Sequence, residues 1–174
     1  MQELLTGKRR LPGCTGDWES VQLTKVAKLE SGHTPSRNRP EYWDGDVPWV
    51  SLHDSKLLDV DVVMRTSLTI SELGLLNSSA RLLPQGTVIF SRTATIGKSA
   101  VLGCPMATSQ DFANYVCGPE IYNHFLVRLF RYMEEDWKRL MAGSTHNTIY
   151  MPIFKKLRVT IPKFEEQVEI VDHL

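Results

Sequence analysis

The spacing of hydrophobic and polar residues changes several times along the chain, and each change predicts a new element of secondary structure. Residues 18–32, WESVQLTKVAKLESG, predict a short strand, one helical turn and a second strand that closes at Gly32. Residues 47–52, VPWVSL, predict a short buried strand after an ordered loop over residues 33–46. Three more strands are predicted where VIFS follows a Pro-Gln-Gly turn and where alternation recurs, at residues 88–91, 98–102 and 156–162.

Three stretches carry helical signals. Apolar residues recur at three- and four-residue spacing from Pro119 to Gly143, which predicts one continuous helix with a core-facing stripe. The stripe consists of Ile121, Phe125, Leu129, Met133, Trp137 and Leu140. Thr69 and Glu72 fit a capping box with Thr69 as the N-cap, so a helix of about two turns should follow. A last helix begins in EEQVEIVDHL, residues 165–174.

Charge is balanced over the whole chain but unevenly distributed along it. The 174 residues suffice for one domain with its own core, and 20 basic and 20 acidic residues give a net charge of zero. Residues 41–62 hold six acids and one lysine, whereas residues 137–164 hold six basic residues and no acid. One surface could therefore attract polyanions while another repels them, although chance clustering on a solvated surface explains the pattern equally well.

The cysteines and the apolar runs indicate a cellular compartment. Cys14, Cys104 and Cys117 are too widely spaced for a disulfide framework or for the close ligand pairs of a zinc site. Free thiols favour a reducing cytoplasm. Neither a signal peptide nor an apolar run of the roughly 18–20 residues of a membrane helix is present, which predicts a soluble cytoplasmic protein.

Gly97-Lys98-Ser99 looks like the end of a phosphate-binding loop, but the motif fails. Such a loop needs a glycine five positions before Gly97, where the chain has Arg92, and its lysine should open a helix, whereas Lys98 enters a β-rich run. Other enzyme signatures are missing from the sequence as well, including Gly-x-Gly, adjacent prolines and Gly-x-Ser-x-Gly. The sequence therefore predicts no catalytic residue, no metal ligand and no bound cofactor.

Four polar loops remain as candidate binding elements. Their Arg, Asn, Gln, Ser and Thr side chains are the types that pair with base edges and phosphate oxygens, which favours DNA binding over a generic ligand site. The loops are Ser36-Arg37-Asn38-Arg39, Ser91-Arg92-Thr93, Thr108-Ser109-Gln110 and Gly143-Ser144-Thr145-His146-Asn147. Tyr42 and Trp43 could stack on a base, but the turn around them favours a packing role.

Several short motifs follow one another along nearly the whole chain, each of them weak alone. They are Gly32-x-Thr34-Pro35; Tyr42-Trp43-x-Gly45-x-x-Pro48-Trp49-Val50-Ser51; Leu83-Pro84-x-Gly86-Thr87-Val88-Ile89-Phe90-Ser91; Arg92-x-x-x-Ile96-Gly97-Lys98; Ala107-Thr108-x-Gln110; Gly143-Ser144-Thr145; Leu157-x-Val159-x-Ile161-Pro162; and Glu166-Gln167-x-x-Ile170. In this order and spacing, the set resembles the target-recognition domain of type I restriction–modification specificity subunits.

The resemblance implies a fold and a division of the chain. The expected fold class is α+β: a compact recognition domain with a twisted, mostly antiparallel β-sheet and flanking helices, followed by the start of a spacer helix. Residues 1–17 would end a preceding spacer or linker, residues 18–163 would form the DNA target-recognition domain, and residues 164–174 would begin the conserved spacer helix. Such subunits usually carry two recognition domains, so this chain is expected to be a C-terminal fragment or a half-subunit that dimerises.

The resemblance also implies a non-catalytic role in a bacterial defence system. Double-stranded DNA would be the ligand, and a second recognition domain or a homodimer partner would read the other half of a split target. Methyltransferase subunits, which use S-adenosylmethionine, and a restriction and translocation subunit would dock on the specificity subunit. No membrane is implied.

The residues expected to contact DNA lie on the polar loops. They are Arg37, Arg39, Ser91, Arg92, Thr95, Lys98, Gln110, Ser144, Thr145 and His146. Arg92 could fork onto a guanine or a phosphate, and Lys98 would be a point charge for phosphate. The alternative is that Gly97-Lys98 only turns a hairpin, that Arg92 pairs with a nearby acid, and that Ser144 and Thr145 cap a helix.

Two other functions stay open at this point. One is the recognition domain of a fused restriction–methylation enzyme whose catalytic part lies outside this chain. The other is a nucleotide-binding enzyme that uses Gly97 and Lys98, for which ATP binding would be the test.

Overall fold

A five-stranded sheet forms the centre of the molecule in a computed structural model that describes residues 2–142 and 146–174. Its strand order is β2-β9-β6-β7-β4. The strands are β2 (Ala27–Ser31), β9 (Phe112–Cys117), β6 (Val88–Ser91), β7 (Ser99–Leu102) and β4 (Val62–Val63). Every neighbouring pair is antiparallel except β4 and β7, which run parallel.

Two smaller sheets flank the central one. In the first, β1 (Glu19–Gln22) pairs antiparallel with β10 (Arg158–Ile161). In the second, β3 (Trp43–Val50) lies between β5 (Leu68–Ile70) and β8 (Ala107–Thr108), antiparallel to β5 and parallel to β8. Mixed helices and mostly antiparallel strands confirm the predicted α+β fold class. Strand β3 begins at Trp43, four residues before the predicted strand, because Trp43 itself pairs with Ile70.

Seven helices and two 3-10 segments surround the sheets in the described part of the chain. The helices are α1 (Gln2–Leu5), α2 (Leu23–Val26), α3 (Glu72–Leu76), α4 (Asn123–Tyr132), α5 (Glu134–Ala142), α6 (Met151–Lys156) and α7 (Phe164–His173). The 3-10 segments are Pro40–Tyr42 and Leu52–Asp59. The predicted strand–turn–strand over residues 18–32 and the predicted last helix are confirmed by β1, α2, β2 and α7. None of these helices is long and apolar enough to cross a membrane.

Strand β6 separates two hydrophobic clusters because successive side chains of a strand point to opposite faces. Val88 and Phe90 belong to the larger cluster, which is built on α4 and α5, whereas Ile89 belongs to a smaller cluster on the other face. The ring of Phe90 lies 4.9 Å from that of Trp137 and 5.2 Å from that of Phe154. The sheet is therefore covered on both faces, which explains why Val88, Ile89 and Phe90 form an unbroken apolar run.

The predicted long helix is interrupted at Met133, and this part of the prediction is wrong. The Trp137 side chain turns back onto the sheet, and its indole N–H donates to the Phe130 carbonyl at 2.8 Å. In an unbroken helix that carbonyl would accept the amide of residue 134. The apolar stripe itself is confirmed for Ile121, Phe125 and Trp137, which are buried, but Leu140 is 41% exposed.

The predicted N-cap Thr69 is also wrong. Thr69 pairs with Pro48 in the ladder between β5 and β3, so its backbone is extended. Ser71 caps α3 instead, and its hydroxyl accepts the Gly74 amide at 3.0 Å. Strand pairing therefore moves the start of the helix two residues along the chain.

The N-terminal segment packs on the rest of the chain. Leu4 and Leu5 are buried in the larger cluster beside α4. Arg10 donates from two nitrogens to the Glu166 carboxylate of α7, at 2.6 and 2.7 Å. The division at residues 17 and 163 stays a prediction.

Candidate nucleic-acid interface

Sheet topology brings three of the polar loops to one end of the central sheet. Strands β2 and β6 run in the same direction because each pairs antiparallel with β9. Both therefore end where β9 begins, and the loops over residues 32–39, 92–98 and 108–111 leave from that end. A fourth segment joins them, because Thr93 forms a bridge with Thr148 and the Ile149 amide donates to the Arg92 carbonyl at 2.9 Å.

The first and third loops lie in direct contact. The His33 amide donates to the Thr108 carbonyl at 2.9 Å, and the Thr34 hydroxyl donates to Oε1 of Gln110 at 2.6 Å. A Cβ atom at Gly32 would collide with the Ser109 carbonyl, so only glycine permits this approach. The Gly32-x-Thr34 and Thr108-x-Gln110 motifs thus form one surface.

Arg92 lies at the centre of this surface and holds two other segments together. Its Nε donates to the Gln110 carbonyl at 2.9 Å, and its Nη1 donates to the Ile149 carbonyl at 3.2 Å. Burial lowers the pKa of the Arg92 guanidinium, while the nearby Asp111 acts in the opposite direction. Arginine stays charged nonetheless, because its ordinary pKa lies far above neutrality. The Nη2 group makes no hydrogen bond to the residues that the structure describes.

Two tryptophans fix the loop that carries Arg37. The indole N–H groups of Trp43 and Trp49 donate to the Ser36 and His33 carbonyls at 3.1 and 3.0 Å. The Arg37 guanidinium lies 4.0 Å from the centre of the Trp43 ring, a distance typical of a cation–π contact. The predicted packing role of Trp43 is therefore confirmed. Arg39 is exposed and pairs with Glu41 at 3.4 Å.

Ser91 and Thr95 serve the turn between β6 and β7. Ser91 is fully buried, and its hydroxyl donates to the Thr93 carbonyl at 3.1 Å and lies 2.9 Å from the Thr95 hydroxyl. The side chain of Ser91 has no exposed surface, which counts against a DNA contact, and the expected contact stays a prediction. The sequence pattern correctly predicted that Ser91 ends a strand, but it did not predict that the side chain points into the interior.

Lys98 is held by an acid on a neighbouring element. Its Nζ lies 2.7 Å from Oδ1 of Asp59 and donates to the Ser55 carbonyl at 3.2 Å. The chain continues after Lys98 as strand β7, so the nucleotide-binding interpretation of Gly97 and Lys98 lacks the helix that a phosphate loop requires. The hairpin alternative fits these two residues better: Gly97 has a φ of +92°, which favours glycine.

The last polar loop is described only in part. Ser144 and Thr145 lie outside the described residues. His146 is exposed, and its Nδ1 lies 3.4 Å from the hydroxyl of Tyr150, a side chain that is half exposed. Thr34 and Tyr150 were not among the residues predicted to contact DNA, although they contact Gln110 and His146. Thr34 lies in the Gly32-x-Thr34-Pro35 motif, and Tyr150 follows the polar loop by three residues. No group of three metal-ligating side chains lies close enough to hold an ion among residues 2–142 and 146–174.

The loops and the sheet that supports them define a recognition domain, and comparison with known proteins identifies its family. Residues 15–174 match the family model of the type I restriction modification DNA specificity domain. The chain belongs to this family, which confirms the resemblance inferred from the motifs.

Curated relatives and solved structures agree with this assignment. The chain is 30% identical over 156 residues to the type I restriction enzyme MjaIX specificity subunit of Methanocaldococcus jannaschii, covering 88% of this chain and 36% of that protein. It is 27% identical over 168 residues to the EcoprrI specificity subunit of Escherichia coli, covering 93% of this chain and 40% of that protein. The crystal structure of the HsdS subunit from Thermoanaerobacter tengcongensis has the same fold, with a TM-score of 0.73 over 99% of this chain and 40% of the other, at 17% identity. The chain thus spans about two fifths of the length of these relatives.

Proposed function

We propose that this chain reads one half of a split duplex DNA target and leaves methylation and cleavage to other subunits. Family membership supports DNA specificity, and the end of the central sheet supplies a surface on which four chain segments meet. The three cysteines are free thiols, which is consistent with action in the cytoplasm.

The observation that carries the proposal is the placement of Arg92. Two of its nitrogens fix the loops, and Nη2 is left to donate outward. Next to it, Oε1 of Gln110 accepts from Thr34, so the amide nitrogen of Gln110 is the group left to bind a ligand. Arg37 adds a third donor on the tryptophan-held loop. Donors of this kind match the N7 and O6 atoms of guanine and the phosphate oxygens.

The proposed interface keeps most of the residues expected from the sequence. Arg37, Arg39, Arg92, Gln110 and His146 are retained, with Ser144 and Thr145 as neighbours along the chain, and Thr34 and Tyr150 are added. Thr95 would contribute indirectly, because its hydroxyl contacts Ser91 in the turn that carries Arg92. Lys98 is left out because it already forms an ion pair with Asp59.

The proposed partners follow from the family. Methyltransferase subunits that bind S-adenosylmethionine, a restriction and translocation subunit, and a second recognition domain or homodimer partner would complete the enzyme. A fused restriction–methylation enzyme is less favoured, because the curated relatives are specificity subunits.

The test begins with the target sequence. Mapping methylated sites in the host genome with and without this gene supplies a cognate duplex. On that duplex, Arg92→Ala should weaken binding by about 1–3 kcal/mol, or roughly 5- to 150-fold, with a smaller effect on unrelated DNA. Fluorescence anisotropy at fixed salt measures both affinities, since affinity for DNA depends on salt.

Two further variants make this result interpretable. Arg92→Lys keeps the charge but loses the planar fork, so it should restore non-cognate binding without restoring discrimination. Arg65→Ala removes an exposed arginine near the opposite end of the sheet and should change neither affinity. Equal loss on all duplexes would reduce Arg92 to a backbone contact, and no loss at all would place the interface elsewhere.

A further inference from the structure

Strand β2 is an outer strand of the central sheet, and its free edge is open. The Gly118 amide donates to the Val26 carbonyl, so Val26 and Gly118 form a hydrogen-bonded pair at the start of the ladder between β2 and β9. Because hydrogen-bonded residues alternate along an antiparallel pair, the backbone groups of Leu29 and Ser31 point away from β9. Neither residue has a backbone partner on that side among residues 2–142 and 146–174.

A groove of about 880 Å³ runs along this edge. Helix α6 forms one wall with Met151 and Lys155, and Arg81 lies on the other side of the strand. The five residues of β2 extend over about 17 Å. The groove is lined by every residue of β2, so an extended peptide could lie beside the whole strand.

The groove is strongly basic although the chain as a whole is neutral. Its charged lining consists of Lys25, Lys28, Arg81, Lys155 and Glu30. The Glu30 carboxylate lies 2.6 Å from the Lys28 ammonium and 3.3 Å from Arg81, so it forms ion pairs with both cations. Four cations against one engaged carboxylate leave a surplus of positive charge that favours an acidic occupant.

The two faces of β2 differ, and this difference predicts the pattern of the occupant. Leu29 packs against the larger hydrophobic cluster on the same side as Met151. Lys28 lies on the opposite face of the strand and is 73% exposed. A strand added beside β2 would meet apolar surface with every second side chain and cations with the others.

We propose that the open edge of β2 binds an extended acidic segment of another polypeptide, which adds as a further strand and alternates acidic with apolar side chains. The backbone groups of Leu29 and Ser31 supply the pairing, and Lys28, Arg81 and the lysines at the far end select acidic side chains. This surface is distinct from the proposed DNA interface, which it meets only at the end of β2.

Labelled peptides test the proposal on the full chain. The probe is a fluorescein-labelled peptide of about seven residues in which Glu and Val alternate, long enough to pair along all five residues of β2. A second peptide carries Lys in place of Glu and should bind at least about tenfold more weakly, because like charges repel in the groove. A third carries a central proline, which removes a ladder donor, and should also bind at least about fivefold more weakly. In nuclear magnetic resonance spectra, the amides of Leu29 and Ser31 should shift on binding.

Two charge-reversal variants localise the binding. Lys28→Glu should weaken the acidic peptide at least about fivefold, whereas the matched control Lys56→Glu, an exposed lysine beside the other edge of the sheet, should change affinity less than about twofold. Affinity of the Lys28→Glu variant for duplex DNA should stay unchanged.

Three results would overturn the proposal. Equal binding of the acidic and basic peptides would show that the cations do not select the occupant. Loss of duplex binding by Lys28→Glu would assign the groove to DNA. Self-association of a Lys28→Ala variant in the ultracentrifuge, without peptide binding by the original chain, would show that the lysines only protect the edge from a second copy.

Discussion

At the scale of single residues, the same side chain can hold the structure and offer itself to a ligand. Arg92 donates to carbonyls of two separate segments and retains Nη2 for a further bond. Ser91 and Lys98 carry equally suitable chemical groups, but one is buried and the other is paired with Asp59. Burial and local partners therefore distinguish the residues proposed for the interface from Ser91 and Lys98, whose groups already have partners within the chain.

Cys14 provides a residue-scale prediction on thiol reactivity. Its Sγ donates to Oε2 of Glu169 at 3.1 Å, and this hydrogen bond is the main cause that raises the Cys14 pKa to about 11. A raised pKa keeps the thiol protonated, and the thiolate is the reactive form. Glu169→Ala should therefore raise the alkylation rate of Cys14 by iodoacetamide at pH 9 at least about tenfold.

Cys117 serves as the internal control in the same experiment. Burial raises its pKa to about 12, and Glu169 plays no part in that shift. Its alkylation rate should stay low in both proteins, as mass spectrometry of each modified peptide would show. An unchanged rate at Cys14 would mean that the carboxylate does not control this thiol.

At the scale of elements, packing against the sheet decides where helices begin and end. Helix α4 ends before Met133, which lets Trp137 pack against Phe90 and Phe154 on the same face of the sheet. Helix α3 begins after Ile70 because that residue belongs to β5. Both boundaries depend on contacts between segments far apart in the chain, so neither boundary can be predicted from a short stretch of sequence.

Trp137→Phe tests the break between α4 and α5. The indole N–H satisfies the buried Phe130 carbonyl at 2.8 Å, and phenylalanine keeps the ring packing but removes that donor. The variant should lose about 1–3 kcal/mol in the free energy of unfolding, as urea denaturation would measure. Tyr132→Phe, at a partly exposed position on α4, should cost much less. Equal stability of the two variants would show that the break does not depend on this hydrogen bond.

At the scale of the whole molecule, the proposed recognition surface depends on segments that are distant in the chain and meet at one end of the sheet. The directions of β2, β6 and β9 bring residues 32–39, 92–98 and 108–111 to one end of the sheet, and the bridge to Thr148 adds residues 146–150. The loops at residues 85–87 and 118–122 lie at the other end, beyond Val88 and Cys117. The segments proposed to bind DNA therefore all lie at one end of the central sheet.

Hydrogen exchange with and without duplex DNA tests this arrangement. Cognate duplex should slow amide exchange together in residues 33–39, 92–95, 108–111 and 146–150, since all four segments would be covered at once. Exchange in residues 85–87 and 118–122 should not change. Protection at that second end, or in a single loop alone, would contradict the proposed interface.

Local pattern predicted the elements well where one stretch of chain suffices to define them. Strands β1, β2, β6, β7 and β10, the turn at α2 and the last helix follow from alternation and turn residues. The structure brings Arg92, Gln110 and the loop of Arg37 to one end of the sheet, and their predicted contacts with DNA stay a prediction. The burial of Ser91 could not be predicted from the sequence, because a serine at a strand end fits the same pattern whether its hydroxyl points inward or outward.

The sequence by itself determined the family, the α+β class and the set of polar loops, because motif order, periodicity and residue type are properties of the sequence alone. Only the tertiary structure decided that the loops meet at one end of the sheet, that Arg92 joins them while Lys98 pairs with Asp59, and that β2 keeps an open basic edge. The reason is physical: strand pairing and side-chain burial depend on residues that lie tens of positions apart, and their contacts form only when the whole core is packed.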